Sequence, residues 1–482
     1  MKINKKLLAI FLIVFLFRLY FVLQADYFSD DTSYSYIRQM DYVRENYKPM
    51  VYDELSYGGK QVLPSPLFPY ILYVFSLVPY GLKIIPQLIV SLIVFAAYLL
   101  SKQLVDDENS ALFSSILAGF MPLLMNETLN KISIHFLAVP LIFYLAYCIT
   151  NISSRKNKLG FLLSLIAILL LDPIFMILAI VLLFYLLLLY VEDMEISKLE
   201  LKMTLFFVFI IIAINLMLLK EAIFTYGSDV IFRNVPRELL INTFKQINIL
   251  TLIYNIGYIP LILGGVSVYY GITRQKTKII FLLSSLTLVT FSLLALKLIA
   301  FYSGLILIGI SAAILSAIAI NKLLIYLDLT KLSKYNHLFI PLFLLLIILL
   351  SVYPSYNVSK RIISDEPTQG EIDALEWVKS DSGNEDVVLG TIYQGNMISK
   401  FSERKNVFDT YFLFAPDVTQ RMTDAYAIFS SDYERAYPLL KKYNIKYVYL
   451  TNQAKDLYGI KDLGYSDSEC MEKHDMVYKV VC

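Results

Sequence analysis

Long apolar runs separated by short polar stretches fill the first three quarters of the chain. Residues 7–23, 84–104, 111–125, 132–150, 203–219, 250–271, 279–296, 299–320 and 338–353 are each near the length that carries a helix across a bilayer. Residues 159–191 are apolar for 33 positions, which is too long for one crossing at about 20 residues each, and Asp172-Pro173 marks the turn. Residues 67–80 are apolar, but Pro69 and Pro79 within them and Pro64 and Pro66 just before suit a short interfacial or re-entrant helix. Counting 159–191 twice gives about eleven crossings. Positive charge tests that count, since only inward loops should collect Lys and Arg. With the N-terminus inside, Arg155, Lys156 and Lys158, then Lys198 and Lys202, then Arg274, Lys276 and Lys278, then Lys322, Lys331 and Lys334 all fall on one side. The run 7–23 ends without a small-residue cleavage site and reads as a signal anchor.

The opposite, external side receives residues 25–66, the turn near Asn126, residues 220–249 and everything after Pro354. From Glu371 the pattern changes to helical periods (371–379, 417–429, 433–442) alternating with β-rich runs (387–392, 446–451, 476–481). The predicted fold is an all-α polytopic membrane domain (1–353), a linker (354–370) and a small external α/β domain (371–482). Composition agrees: 57% of residues are apolar and 17% charged, and the mean hydropathy is +0.62. The net charge of +2 and the lack of a basic aromatic pattern give no footprint for nucleic acid. Three cysteines exclude a disulfide framework, although Cys470 and Cys482 can pair if the tail is external. Three scattered histidines give little support to a zinc site.

Chemistry therefore falls to carboxylates, Arg, Lys and Tyr. The first external loop opens with Ser29-Asp30-Asp31-Thr32-Ser33-Tyr34, followed by Arg38 and Lys60. Asp30 and Asp31 are candidate general bases, and equally candidate caps and first-turn acids of a helix reaching about Asn46. Tyr34 and Arg38 fall on the same helix face as the aspartates. Arg38 has two open roles, an ion pair with Asp31 or Asp41 and phosphate binding. Lys60, Arg233, Arg237 and Lys297 complete the outward cations able to hold a lipid phosphate, although snorkelling to the interface is the more common role for a Lys placed as Lys297 is. Glu127 lies at an external helix end and Asp172 inside an apolar run, so both are candidate cavity or acceptor-binding residues as well as ordinary helix-end charges. No Gly-rich nucleotide fingerprint appears. No cofactor is implied, and two aspartates are too few ligands to predict a divalent cation.

The stretch from Ser29 to Met40 resembles the acidic first-loop signature of the C-type glycosyltransferase superfamily. Gly58-Gly59-Lys60 followed by Pro64-Ser65-Pro66-Leu67-Phe68-Pro69-Tyr70 resembles the Gly and Pro-Pro-Leu-Tyr-Pro stretch that follows it there. Asn126-Glu127-Thr128-Leu129 falls where such enzymes often carry an acid, and Leu171-Asp172-Pro173 where many have Thr-Lys-Pro. The tail, with Arg404-Lys405-Asn406-Val407-Phe408-Asp409, looks like the external domain of archaeal members but lacks the Trp-Trp-Asp-Tyr-Gly motif of oligosaccharyltransferases. The resemblance implies inverting transfer of a sugar from a polyprenyl-phosphate carrier to an external glycan, lipid or protein, with a first-loop Asp as base. A flippase of lipid-linked glycans and a non-catalytic scaffold are the rival readings. The second acid is Asp31 where relatives often have Glu, so the acting aspartate stays open.

Overall fold

The computed structural model describes residues 4–62, 65–152, 154–226, 249–412 and 414–482. Among these, five helical stretches are long and apolar enough to cross a membrane: Gly81–Leu104, Lys198–Leu218, Lys278–Ala295, Phe301–Leu329 and Leu338–Asp381. His135–Thr150 and Ile177–Val191 are shorter apolar helices. The outer surface of this body is that of a protein solvated by lipid. Along Lys198–Leu218, for instance, Leu205, Phe206, Phe209 and Leu216 are all exposed, a density of apolar groups that water does not tolerate. The inner faces close through small residues. A Cβ at Gly264 would stand 2.8 Å from Ala312, so the helix Tyr258–Tyr270 lies directly against Phe301–Leu329.

The apolar run 159–191 breaks where Asp172 leaves the helix Arg155–Leu171 in an extended conformation, and a short turn at Pro173–Met176 precedes Ile177–Val191. The stretch expected to be a linker differs. Tyr353–Ser364 is helical, with Pro354 in its first turn, where the missing N–H is harmless. Ser351 and Ser355 donate to the Phe120 carbonyl at 3.1 and 2.6 Å, so this segment is packed against the body. Ser351, Ser355 and Ser359 lie on its buried face.

The first loop begins with the helix Asp31–Asn46, closed by Tyr47 in the left-handed region. This helix packs on Phe68–Ser76, where the Tyr36 and Phe68 rings meet edge to face at 4.8 Å. Between them lies a hairpin of β1 (Tyr52–Asp53) and β2 (Lys60–Gln61). Its turn is tight: Gly59 has φ +123°, and a Cβ there would meet the Tyr52 hydroxyl at 2.3 Å.

The C-terminal part is a mixed sheet with strand order β4-β3-β5-β7-β6, formed by β3 (Val387–Leu389), β4 (Lys405–Asn406), β5 (Ile445–Tyr449), β6 (Met471–His474) and β7 (Val477–Val480). β3 runs parallel to β4 and β5, whereas β7 is antiparallel to β5 and β6. Helices Gln369–Asp381, Gly395–Phe401, Val418–Ser430, Tyr433–Lys442 and Asn452–Tyr458 accompany it. Cys470 and Cys482 are joined in a disulfide at its end, while Cys148 is a buried free thiol. Tyr57 of the first loop is buried within the apolar core of this part, among Val387, Leu389, Val407 and Phe408.

Candidate active site

The two aspartates sit one residue apart and face different partners. Asp30 is the extended residue (φ −136°, ψ 148°) just before the helix, and Asp31 is its first helical residue. Asp31 is buried and turned toward the C-terminal part. Its Oδ2 accepts the Asn396 backbone N–H at 3.2 Å and the Asn396 amide at 2.7 Å, and its Oδ1 accepts the Met397 N–H at 2.8 Å. It thus caps the helix Gly395–Phe401 from outside that helix's own sequence. Burial pushes its carboxyl up to about 7, with these donors pulling the other way and Asp409 adding to the rise.

Asp30 accepts the Ser33 hydroxyl within its own first turn. Ser33 in turn accepts the Ile132 N–H at 2.8 Å. Asn130, with φ +49°, completes the link: its carbonyl accepts the Ser29 N–H at 3.1 Å, and its amide donates to the Tyr27 carbonyl at 2.8 Å and Ser29 Oγ at 2.7 Å. The acidic loop is therefore held against the segment that follows the helix Pro122–Thr128. Burial raises the Asp30 carboxyl above the ordinary range, the Lys131 ammonium and Ser33 oppose that rise, and the Glu127 charge adds to it. The Tyr36 phenol lies within electrostatic reach of Asp30, Asp172 and Tyr411. Below this group, His135 Nε2 meets Ser303 Oγ at 2.9 Å beside a narrow apolar pocket walled by Val139, Phe175, Ile299 and Leu307.

Of the residues singled out from the sequence, Asp30, Glu127 and Asp172 gather here. Tyr34 is a clip whose hydroxyl donates to the Phe28 carbonyl at 3.0 Å. Arg38 makes a two-pronged pair with Asp53, its Nη1 at 3.0 Å from Oδ2, and not with Asp31 or Asp41. Burial alone would raise the Asp53 carboxyl, but Arg38 holds it below the usual range. Lys60 is buried, with Nζ 3.2 Å from Asp409 Oδ1 and bonded to the Tyr411 carbonyl. Asp409 also accepts from Ser56, the Asn406 amide and the Tyr411 N–H, so it ties the first loop to the C-terminal part. Lys297 is exposed in the turn before Phe301–Leu329, and Arg233 and Arg237 lie outside the described residues. Lys131, Tyr36 and Tyr411 were passed over in the sequence. Lys131 alone carried a signal, being the one basic residue in the short external stretch beside Glu127. Among the described residues, no three His, Cys, Asp or Glu side chains come together as a metal-binding group.

The helical body with its C-terminal α/β part has the fold of solved structures of an archaeal oligosaccharyltransferase and of ArnT. The Archaeoglobus fulgidus oligosaccharyltransferase in its apo form matches with a TM-score of 0.67 at 13% identity, over 92% of this chain and 69% of that one. The same enzyme in complex with an inhibitory peptide and a dolichol-phosphate matches equally well, at 14% identity and the same coverage. ArnT from Cupriavidus metallidurans bound to undecaprenyl phosphate matches with a TM-score of 0.51 at 10% identity, over 98% of this chain and 97% of that one. At such identities the likeness is one of fold. No family model and no curated protein matches the sequence.

Proposed function

We propose that the chain is a multi-pass membrane glycosyltransferase that moves a sugar from a polyprenyl-phosphate carrier to an extracytoplasmic glycan, lipid or protein. The observation that carries this reading is the setting of Asp30: a carboxylate fixed at a helix start beside Lys131, at the outer edge of a membrane body, while its neighbour Asp31 is taken up in a cap. The solved neighbours of the same fold include complexes with a dolichol-phosphate and with undecaprenyl phosphate, which supports a lipid-borne donor.

In the proposed reaction the Asp30 carboxylate takes the proton of an acceptor hydroxyl as its oxygen bonds to the sugar C1. The bond from C1 to the phosphate oxygen breaks, and the lipid phosphate leaves from the opposite face, so the anomeric centre inverts. A carboxyl raised by burial is a stronger base than a free one, which suits this role. Arg38 and Lys60 have internal carboxylate partners, and we assign Lys131, which lies within electrostatic reach of Asp30, to the departing phosphate. Glu127, Asp172 and Tyr36 then line the acceptor side. About eleven crossings, a cytoplasmic N-terminus and an external C-terminal part complete the proposed topology, and the Cys470–Cys482 disulfide suits an oxidising side.

The test is transfer from a radiolabelled polyprenyl-phosphate hexose in membranes carrying wild type or Asp30→Asn at equal expression. The expected loss is about 10² to 10⁴ in rate, the usual contribution of a general base. Wild-type transfer by Asp30→Asn, or no transfer from any prenyl donor by folded protein, overturns the reading.

A further inference from the structure

One strongly charged group takes no part in the chemistry above. Arg18 interrupts the first apolar helix, Lys5–Val22, and is only 1% exposed. A guanidinium at such a place is costly and marks a function by default. Among the described residues it pairs with no carboxylate. Instead Nε donates to Gln87 Oε1 at 2.9 Å, Nη1 points at Met125 Sδ at 2.8 Å, and Nη2 donates to Thr128 Oγ1. Gln87 returns to the same place, its amide donating to the Thr128 carbonyl at 3.0 Å.

Every one of these contacts ends on the last turn of the helix Pro122–Thr128 or on the glutamine that braces it. Two residues further on, the same strand of chain becomes the holder of the acidic loop: Asn130 grips Ser29 and Tyr27, Ile132 N–H bonds Ser33, and Lys131 faces Asp30. A ball of polar contacts inside an apolar body is a rigid point. Its position directly before Asn130 sets where Lys131 and Ser33 stand.

We infer that Arg18 is a positioning residue, which pins Thr128 so that the 129–134 segment holds Asp30 and Lys131 in register. The inference rests on the proposed role of Asp30, but its test does not. The link is read first by hydrogen exchange at the Ser29 and Ile132 N–H groups, which bond the Asn130 carbonyl and Ser33 Oγ, in the wild type and in Arg18→Met. With the pin removed these two groups exchange about tenfold or more faster relative to the amides of β5; unchanged exchange overturns the inference whether or not the protein transfers sugar. Should Arg18→Met fail to fold, Thr128→Val removes only the hydroxyl that Arg18 holds and reads the same link with the same two outcomes.

Activity supplies the second reading. Folded Arg18→Met, otherwise native in sequence, should lose about 10² in kcat, the scale of a 1 Å misplacement, with KM for the prenyl donor unchanged. A purely structural role would lower the amount of folded protein and leave kcat per folded molecule at the wild-type value, which also overturns the inference. If the wild type transfers nothing, the proposed function fails and the hydrogen-exchange result still decides about Arg18.

Discussion

Asp31→Ala should unlatch the C-terminal part from the first loop. The substitution removes the acceptor of three donors, the Asn396 and Met397 N–H groups and the Asn396 amide. Asn396 and Met397 are 1% and 4% exposed, so water does not replace the lost acceptor without local opening. Each buried donor left unpaired costs about 1–3 kcal/mol. With partial relaxation the sum is about 2–5 kcal/mol. A helix of seven residues has no stability of its own to absorb this. The Lys400 ion pair to Asp41, 2.6 Å long, and the Asn406 contacts to Gly395 and Ser399 depend on the same helix. Hydrogen exchange over residues 395–401 is the assay. Opening should become about 30- to 4,000-fold more frequent, at 1.4 kcal/mol per tenfold. Exchange in Asp31→Ala equal to the wild type would refute the reasoning.

Asp31→Asn separates the cap from its charge. The amide oxygen still accepts from Met397, so the cost is about 1 kcal/mol. Its pH behaviour is the sharper reading. The folded carboxyl is raised to about 7 by burial, while an unfolded Asp titrates near 3.9. Between those values the folded state holds more protons than the unfolded one, so stability falls as pH rises through the window and levels off above about 7. The wild-type clasp should therefore loosen from pH 5 to 7, beyond the intrinsic pH dependence of exchange, and Asp31→Asn should lack that trend.

Lys60→Met leaves Asp409 buried with no cation and should cost about 3–5 kcal/mol, read as a lower melting temperature in detergent, with part of the loss recovered in Lys60→Met/Asp409→Asn. Gly59→Ala places a Cβ against the Tyr52 hydroxyl at 2.3 Å with φ +123° and should destabilise the hairpin by at least 1 kcal/mol, checked by the same melt. Maleimide should label none of the three cysteines in the oxidised folded protein, since Cys470 and Cys482 are joined and Cys148 is buried. After mild reduction it should label two.

Much of this fold is legible in the sequence because it is written locally. Tyr433–Lys442 is helical over the predicted residues, and Gln369–Asp381 extends the predicted helix by a turn that Thr368 and Glu371 cap reciprocally. The β-rich runs at 387, 446 and 476 became β3, β5 and β7. What escaped is what partners at a distance create. β4 at Lys405–Asn406 is two polar residues long, and its pairing with β3 and the Asn406 contacts to Leu55 and Tyr57 of the first loop both come from segments distant in sequence. The helix Gly395–Phe401 begins where Asp31 caps it, 365 positions away in sequence. Arg38 and Lys60 look like free outward cations for the same reason. Lys60 has its acid 349 residues further along the chain, and no pattern along the chain announces that pairing.

The adjacent aspartates show how one residue step changes a side chain's partners. At a helix start the backbone turns from extended to helical, so Asp30, at φ −136° and ψ 148°, and Asp31, the first helical residue, project in different directions. One faces the Asn130–Ile132 segment at the membrane edge; the other faces the sheet-bearing part above. A general base needs a lone pair free to receive a substrate proton within hydrogen-bond reach. Asp31 has both oxygens engaged by donors of one buried helix, so neither presents a free lone pair to an acceptor hydroxyl. Asp30 accepts from the Ser33 hydroxyl, a partner within its own turn that orients the carboxyl without closing it off. Its neighbour Lys131 keeps the charged form accessible against burial. The sequence motif presents two equal candidates; the donors arriving from the C-terminal part engage Asp31, and the proposed role of Asp30 rests on that difference.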